Sequence, residues 1–349
     1  MPGQPVVRVG FLGAGLIATY HSKSLHRSSM PAVWSGVFDP DPDRTHAFAA
    51  ASGAPVCTSE EQVLDGCDAV YVCTWTSEHD RLVRAAAARG LAIFCEKPLS
   101  MDLAGARAMA DTVRAAGVTN QVGLVLRYSP AFNLVKDLVG DPASGRLMSV
   151  VVRDDQYIPV QGMYDSTWRG DHTKVGSGAL LEHSIHDLDI VEYAVGPVAE
   201  VSARSANFHG LAHIEDSVAF TLAFAGGGLG TMVSVWHDLL ERPSLRRVEV
   251  FCERLFVALD DDWFGPVSWV RAGDGAEQQL GGDKLVAEIE RRGLVAGNPD
   301  AAFVRAVADG VPAWPSFDDA VRAHEVVDAV YRSAAAGGLT TQVAGLNLR

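Results

Sequence analysis

The stretch Val6-Val7-Arg8-Val9-Gly10-Phe11-Leu12-Gly13-Ala14-Gly15-Leu16-Ile17-Ala18 decides the fold. Its first half is a short apolar run rich in β-branched residues, the pattern of a buried strand. The run stops at Gly13-x-Gly15-x-x-Ala18, and Thr19 to Leu25 continues as a helix. In a dinucleotide fingerprint Gly13 makes the tight turn, and Gly15 lets a pyrophosphate approach bare backbone. Ala18 lets the helix pack closely on the strand, and the N–H groups around Leu16 and Ile17 face the anion. In a chain with 34 glycines such a spacing also arises by chance. The flanking strand and helix strengthen it, and so does Asp39, which ends a second apolar run 21 residues beyond Ala18. A carboxylate there accepts hydrogen bonds from ribose hydroxyls and repels a 2′-phosphate. No Ser-Arg pair follows Asp39 directly, so NAD is favoured over NADP, with Arg44 the one nearby cation that bears on the choice.

Working outward, Ala32 to Phe38 reads as the second strand and Arg44 to Ser52 as a helix. Asp68 to Cys73 is a third strand, Arg81 to Arg89 a helix, and Leu91 to Cys95 a fourth strand. Gln121 to Tyr128 reads as the last strand of this set. Strands alternating with helices through short connections indicate a doubly wound parallel sheet. Ligands of such sheets bind beyond the carboxyl ends of the strands, which places Trp75 and Glu96-Lys97-Pro98 at the cofactor edge. Lys97 follows a buried strand directly and precedes a proline, so it can donate a proton or stabilise an alkoxide. From residue type alone it is equally a solvent-facing lysine in a βα turn.

Length and charge bound the rest. With 349 residues, 48% of them hydrophobic and 21% charged, the chain has room for two soluble domains with their own cores. The formal net charge of −14 argues against nucleic acid or an anionic membrane as main partner. Met1-Pro2-Gly3-Gln4-Pro5 has neither a basic start nor an apolar signal core, and no apolar run reaches the length of a membrane span. The five cysteines are odd in number and lack metal-ligand spacing, so reduced, buried thiols in a cytoplasm are expected.

The second half changes pattern. From Gly145 the sequence alternates, with Val151, Arg153, Asp155 and Tyr157 on one strand face and Val150, Val152, Asp154 and Gln156 on the other. The first of these faces suits recognition of a polyhydroxylated substrate and equally suits a solvated outer face. Asp216–Ala225, Gly228–His237 and Arg246–Val257 read as further antiparallel strands, from which Trp236, His237 and Arg242 are candidates to project toward a pocket. Asn298-Pro299 starts a helix, and Phe317 to Ala336 is a final amphipathic one.

Within this half, the loop Gly176-Ser177-Gly178 runs into Glu182-His183-Ser184-Ile185-His186-Asp187-Leu188-Asp189. On a helix Glu182, His186 and Asp189 fall at i, i+4 and i+7 and stack on one face. Histidine titrates near neutrality and can take and return an alcohol proton, while a carboxylate one turn away orients it. His183, His186, Asp187 and Asp189 are all possible metal ligands, but His183 and Asp187 point away from His186 and no zinc spacing is present; no metal is expected.

These residues together resemble the glucose–fructose oxidoreductase / inositol dehydrogenase family. The marks are the Gly13-x-Gly15-x-x-Ala18 turn, the strand ending at Asp39, Thr74 with His79 after the strand of Cys73, and Glu96-Lys97-Pro98. A glycine-rich loop followed by Glu182, His186 and Asp189 completes them. The resemblance implies an N-terminal Rossmann domain over 1–125 and an α+β domain with a mostly antiparallel open sheet over 126–349. It implies NAD as cofactor, held by Gly13, Gly15, Leu16, Ile17, Asp39, Thr74, Trp75, His79, Glu96 and Lys97. The catalytic set it implies is Lys97, His186 and Glu182, the last standing where aspartate is commoner. Candidate substrate contacts are Lys97, Arg127, Asp155, Tyr157, Trp168, Glu182, His183 and His186; Arg127 and His183 read equally as structural residues. Trp75 stands where many members carry proline.

The expected activity is NAD-dependent interconversion of a secondary hydroxyl of a sugar or cyclitol with its ketone. The expected assembly is a homodimer or homotetramer, with no nucleic acid or membrane partner. Two alternatives stay open: a glycosidase or lyase that retains NAD and oxidises transiently, and a non-catalytic NAD-binding regulator.

Overall fold

The computed structural model describes residues 5–345, so Met1 to Gln4 of the amino-terminal stretch lie outside the described residues. The chain divides into two compact units, Met1–Leu124 with Asn298–Val321, and Val125–Gly297 with Arg322–Arg349. A contiguous division at 125/126 therefore misses one feature. The helix Pro299–Asp309 and the start of the helix Phe317–Ala335 return to the first unit. Phe303, Val304 and Phe317 are buried among its core residues, which is why this segment counts there.

The first unit is built on β1 (Val7–Leu12), β2 (Ala32–Phe38), β3 (Ala69–Val72), β4 (Ala92–Cys95) and β5 (Asn120–Val122). The strands are parallel in the order β2-β1-β3-β4-β5. β3 and β4 are buried along their whole length, as their continuous apolar runs require of strands covered on both faces. Between them run α1 (Leu16–His26), α2 (Pro42–Ser52), α3 (Glu60–Gly66), α4 (His79–Ala87) and α5 (Leu103–Ala116). Asp41, Ser59 and Asp102 cap α2, α3 and α5 through their side-chain oxygens. Strand order reverses at β1, between β2 and β3, which marks the ligand crevice of a doubly wound sheet beyond Leu12 and Val72.

The expected strand Gln121–Tyr128 is shorter. β5 ends at Val122, and Val125–Tyr128 is a single 3-10 turn. The reason is pairing: β5 bonds only β4, whose last paired residue, Cys95, faces Val122. Beyond it the apolar run has no ladder to join.

The second unit carries α6 (Pro130–Gly140), β6 (Leu147–Tyr157), α7 (His172–Val175), α8 (Ile185–Val195), β7 (Val198–Ala206), β8 (Ser217–Phe224) and β9 (Leu229–His237). Then follow β10 (Leu245–Cys252), β11 (Leu255–Leu259), β12 (Val267–Arg271), β13 (Gln278–Leu280), α9 (Gly282–Arg292) and β14 (Thr341–Gln342). Its strands form one sheet ordered β13-β12-β11-β10-β6-β9-β8-β7-β14. All neighbours are antiparallel except β6 and β9. Strict alternation of buried and exposed residues along β8, β9 and β10 gives a covered face and an open one. On the covered face, Val150, Val152, Phe220, Met232 and Val250 pack with Leu134, Leu181 and Leu188. No helix among the described residues is long and apolar enough to cross a membrane.

Candidate active site

The nucleotide end of the first unit starts at the turn after β1. Gly13 has φ +88°, and a Cβ on it would lie 2.4 Å from the Cys73 carbonyl oxygen, so backbone geometry and space both demand glycine. Gly15 is different: its φ is −75°, and a Cβ there meets no protein atom within 4 Å. Nothing in the protein's own packing asks for glycine at 15, whereas a pyrophosphate lying against the backbone does. The first bond of α1 runs from the Thr19 N–H to the Gly15 carbonyl, so the N–H groups of Leu16, Ile17 and Ala18 precede it. The helix start has no acidic residue in its first turn and no side-chain cap, which suits an anion.

Asp39 closes this end. Its Oδ2 accepts the Ala14 N–H at 2.8 Å and its Oδ1 accepts the Asp41 N–H at 2.9 Å. The acid is thus fixed against the glycine turn, where ribose hydroxyls would reach it. Arg44 is turned to Asp41, 3.3 Å away. These residues fit NAD.

Beyond β3, Trp75 is 39% exposed and the Thr74 hydroxyl donates to the Trp75 carbonyl. His79, grouped with the cofactor contacts by resemblance, is buried, and burial lowers its pKa. Its Nδ1 lies 3.1 Å from the Pro98 carbonyl oxygen and 3.3 Å from that of Leu99. It holds the turn after Lys97, whose bond to Pro98 is cis. Lys97 is half-buried, and its backbone N–H donates to Glu96 Oε2 at 3.1 Å. Glu96 is buried, and its other oxygen is 2.7 Å from His21 Nε2. His21, the partner of Glu96, is not singled out by the sequence. Its only local signal is a polar residue on the buried face of α1, three positions after Ala18.

In the second unit the chemistry gathers around Gly178. A Cβ on Gly178 would lie 1.8 Å from the Glu215 carbonyl oxygen. The Glu215 carboxylate accepts the Ser177 hydroxyl and the Gly178 N–H at 2.9 and 2.8 Å, and the Leu180 N–H and Tyr331 hydroxyl at 3.0 and 2.9 Å. This acid organises the loop and was not singled out in the sequence, because its partners lie up to 116 residues away. Leu180–Ser184 then forms a π-helical turn before α8. The wider turn replaces the α-helical spacing expected between Glu182 and His186.

Glu182 is buried and pairs with Arg169 Nε at 3.3 Å, and the Arg169 guanidinium stacks 4.5 Å from the Trp168 ring centroid. Trp168 is thereby the platform for that cation. Asp189, expected on the His186 face, forms a buried bidentate pair with Arg127, with Nη2–Oδ1 2.6 Å and Nε–Oδ2 3.0 Å. Of the two readings of Arg127, the structural one describes this geometry.

His183 Nε2 lies 2.9 Å from Asp154 Oδ2, which also accepts the Ser184 hydroxyl at 2.9 Å. Despite burial, the charges of His183 and Arg246 hold Asp154 well below the usual carboxylate range. Arg246 also pairs with Asp187 and Asp262. Burial, reinforced by the Asp154 charge, pushes Asp187 up to about 8 against the pull of Arg246.

Strand alternation separates these groups from Asp155 and Tyr157, which lie on the other face of β6. There Asp155 pairs with Arg242 at 2.6 Å and with Arg153 at 3.1 Å, and the Tyr157 hydroxyl accepts the Met163 N–H at 3.2 Å. The face bearing Asp154, rather than the one bearing Asp155, meets His183. Trp236 is buried beside Ile158 and Ala179, with Trp168 packed against the same cluster. His237 approaches Asp155 at 3.6 Å. All five cysteines are free and buried. No cluster of metal-ligating side chains occurs among the described residues.

Comparison with known proteins agrees with this architecture. Residues 7–124 match the model of an oxidoreductase family with an NAD-binding Rossmann fold, and residues 132–256 match the GFO/IDH/MocA C-terminal domain. Inositol 2-dehydrogenase of Rhizobium meliloti (strain 1021) is 29% identical over 338 residues, covering 94% of this chain and 97% of the relative. The 1,5-anhydro-D-fructose reductase of Ensifer adhaerens is 30% identical over 238 residues, 66% of this chain and 68% of the relative. Levoglucosan dehydrogenase, solved in complex with NADH, superposes with a TM-score of 0.84 at 21% identity, covering 97% of this chain and 100% of that one. With the nucleotide turn, the Glu-Lys-Pro loop and both domains in place, the chain belongs to the GFO/IDH/MocA family of NAD-binding oxidoreductases.

Proposed function

We propose that the protein interconverts a secondary hydroxyl of a cyclitol or sugar with the corresponding ketone. Bound NAD supplies the hydride acceptor. The observation that carries this reading is Lys97, which follows β4 on a backbone held by Glu96 and His79, in a chain that also carries the Gly178–His186 segment. A sensor of NAD needs no such proton-handling groups. Relatives named inositol 2-dehydrogenase and 1,5-anhydro-D-fructose reductase support the substrate class and allow either direction.

In this reading His186 removes the hydroxyl proton, its imidazole being suited to accept and return it near neutrality. The Lys97 ammonium donates a hydrogen bond to the same oxygen and stabilises the charge that develops there. Glu182, itself held by Arg169, orients the imidazole or binds a neighbouring hydroxyl. NAD rather than NADP is favoured by Asp39 and by the engagement of Arg44 with Asp41. Val151, Leu229, Val233 and Phe251, exposed on the open face of the second sheet, support assembly as a homodimer or homotetramer.

The test is NADH formation from NAD with myo-inositol, scyllo-inositol, levoglucosan and a panel of hexoses, and the reverse oxidation of NADH with 1,5-anhydro-D-fructose. Turnover that Lys97→Ala and His186→Ala both abolish supports the reading. Turnover that survives both substitutions overturns it.

A further inference from the structure

His21 sits at the centre of a buried cluster of charged side chains in the first unit. Its Nδ1 is 2.7 Å from Asp300 Oδ1 and its Nε2 is 2.7 Å from Glu96 Oε1, with all three residues buried. A neutral imidazole has one N–H and one lone pair, so it can donate to one carboxylate only. Two ionised carboxylates on its two nitrogens call for a hydrogen on each, which makes the ring a cation. Burial opposes that charge, but Asp300 and Glu96 outweigh it and raise the His21 pKa to about 10. The buried aromatic, thiol and imidazole groups packed around the cluster carry no positive charge to take the place of His21. Burial keeps the Tyr71 hydroxyl and the Cys73 and Cys95 thiols protonated and depresses the pKa of His79.

The three residues come from three places: His21 from α1, Glu96 from the loop after β4, and Asp300 from the first turn of Pro299–Asp309. Phe94 and Tyr71 pack their rings 4.8 and 5.7 Å from the His21 ring, so the imidazole cannot swing away. A Cβ on Gly123 would lie 2.4 Å from Oε1, the same oxygen that meets His21, so the carboxylate is wedged against the chain just past β5. Its second oxygen then has one orientation, and in it accepts the Lys97 N–H.

We propose that His21 is a positioning residue for this enzyme's chemistry: an imidazolium clamped by Asp300 that fixes Glu96, and through Glu96 the backbone carrying Lys97. The role rests on the reading of Lys97 given above. Without the cation, two buried acids face each other, and one must take up a proton or move. If Glu96 moves, Lys97 loses its backbone tether. The nucleotide turn keeps its own supports at Asp39 and Gly13, so the adenosine and pyrophosphate end of the cofactor site is spared and most of the NADH affinity with it.

The experiment compares wild type, His21→Gln, His21→Phe and Lys97→Ala, each loaded with NAD. NADH affinity is read by fluorescence titration, and kcat and KM with the best substrate of the panel. The imidazole signals of wild-type His21 are followed by nitrogen-15 NMR across neutral pH. The expected result is a kcat loss of about 10²-fold in His21→Phe, the size of a small misplacement of a reacting group, with NADH affinity and KM held. His21→Gln, which can still donate toward Glu96, recovers part of that loss. The wild-type ring stays doubly protonated well above the ordinary histidine value of 6.5.

A His21 that deprotonates near that value overturns the proposal, even if the variants fail to fold. So does a kcat unchanged in His21→Phe while Lys97→Ala is inactive, and in that case the reading of Lys97 survives. If Lys97→Ala is fully active, the reading of the reaction fails instead, and the proposal falls with it whatever the NMR shows.

Discussion

The Asp39 carboxylate accepts the backbone N–H of Ala14 at 2.8 Å, so the acid that ends β2 is tied to the glycine turn that ends β1. Its other oxygen accepts the Asp41 N–H, and in the proposed reading the carboxylate has lone pairs left for the ribose hydroxyls of NAD. Asp39→Ala removes both functions. NADH affinity is expected to fall by about 1.5–3 kcal/mol, the range for a hydrogen bond to a charged group, with NADPH affinity falling less because the repulsion of its 2′-phosphate is also removed. Fluorescence titration with the two nucleotides measures the ratio; an unchanged ratio would contradict the assignment.

Gly13 and Gly15 separate folding from binding. Gly13→Ala forces a Cβ against the Cys73 carbonyl at a left-handed φ, and is expected to cost roughly 1–3 kcal/mol of stability. Gly15→Ala has open space in the protein and is expected to leave the unfolding free energy from urea titration within about 0.5 kcal/mol of wild type. NADH binding is nonetheless expected to weaken strongly in Gly15→Ala, because its methyl group occupies the approach of the pyrophosphate. Normal NADH affinity in that variant would move the phosphate site elsewhere.

The raised His21 pKa has a signed consequence for stability. Its folded-state value is about 10 against an ordinary 6.5. The stabilisation from this proton is therefore complete below about pH 6.5 and is lost as pH rises through about 10. Urea unfolding of wild type is expected to show declining stability across that window. His21→Gln is expected to flatten the decline, and an equal slope in both proteins would show that His21 does not hold the proton.

Arg127 and Asp189 form a buried pair whose geometry speaks for structure rather than substrate contact. Arg127→Ala leaves the Asp189 charge buried without this partner and is expected to cost about 3–5 kcal/mol. The double variant Arg127→Met, Asp189→Leu is expected to recover most of that loss. Thermal unfolding of the three proteins decides it: no recovery in the double variant would mean that the pair is not the source of the loss.

The sequence shows most clearly what is local and periodic. The Gly13–Ala18 turn, Asp39 at the end of β2 and Glu96-Lys97-Pro98 after β4 are all strand-end features, and strand-end position follows directly from the apolar runs before them. Pairings between distant residues were not legible. His21 meets Asp300 across 279 positions, and Glu215 organises the Gly178 loop from 37 positions downstream, with no periodicity to announce either. The face of β6 could not be chosen from alternation alone, since Asp154 and Asp155 are both acids. The packing of Val150 and Val152 in the core, together with the approach of His183, shows that Asp154 is on the covered side. Helical spacing misled between Glu182 and His186, where glycine loop and helix meet through a π turn that apolar periodicity does not encode.

The central claim is that Lys97 and His186 carry hydride-coupled proton transfer on a polyol. The most direct measurement is NADH formation by wild type, Lys97→Ala and His186→Ala with NAD and the inositol and sugar panel, with NADH affinity checked in each. The account expects turnover in wild type and its loss in both variants while NADH still binds. Full turnover in either variant, or a wild type that binds NADH but converts no member of the panel in either direction, would contradict it.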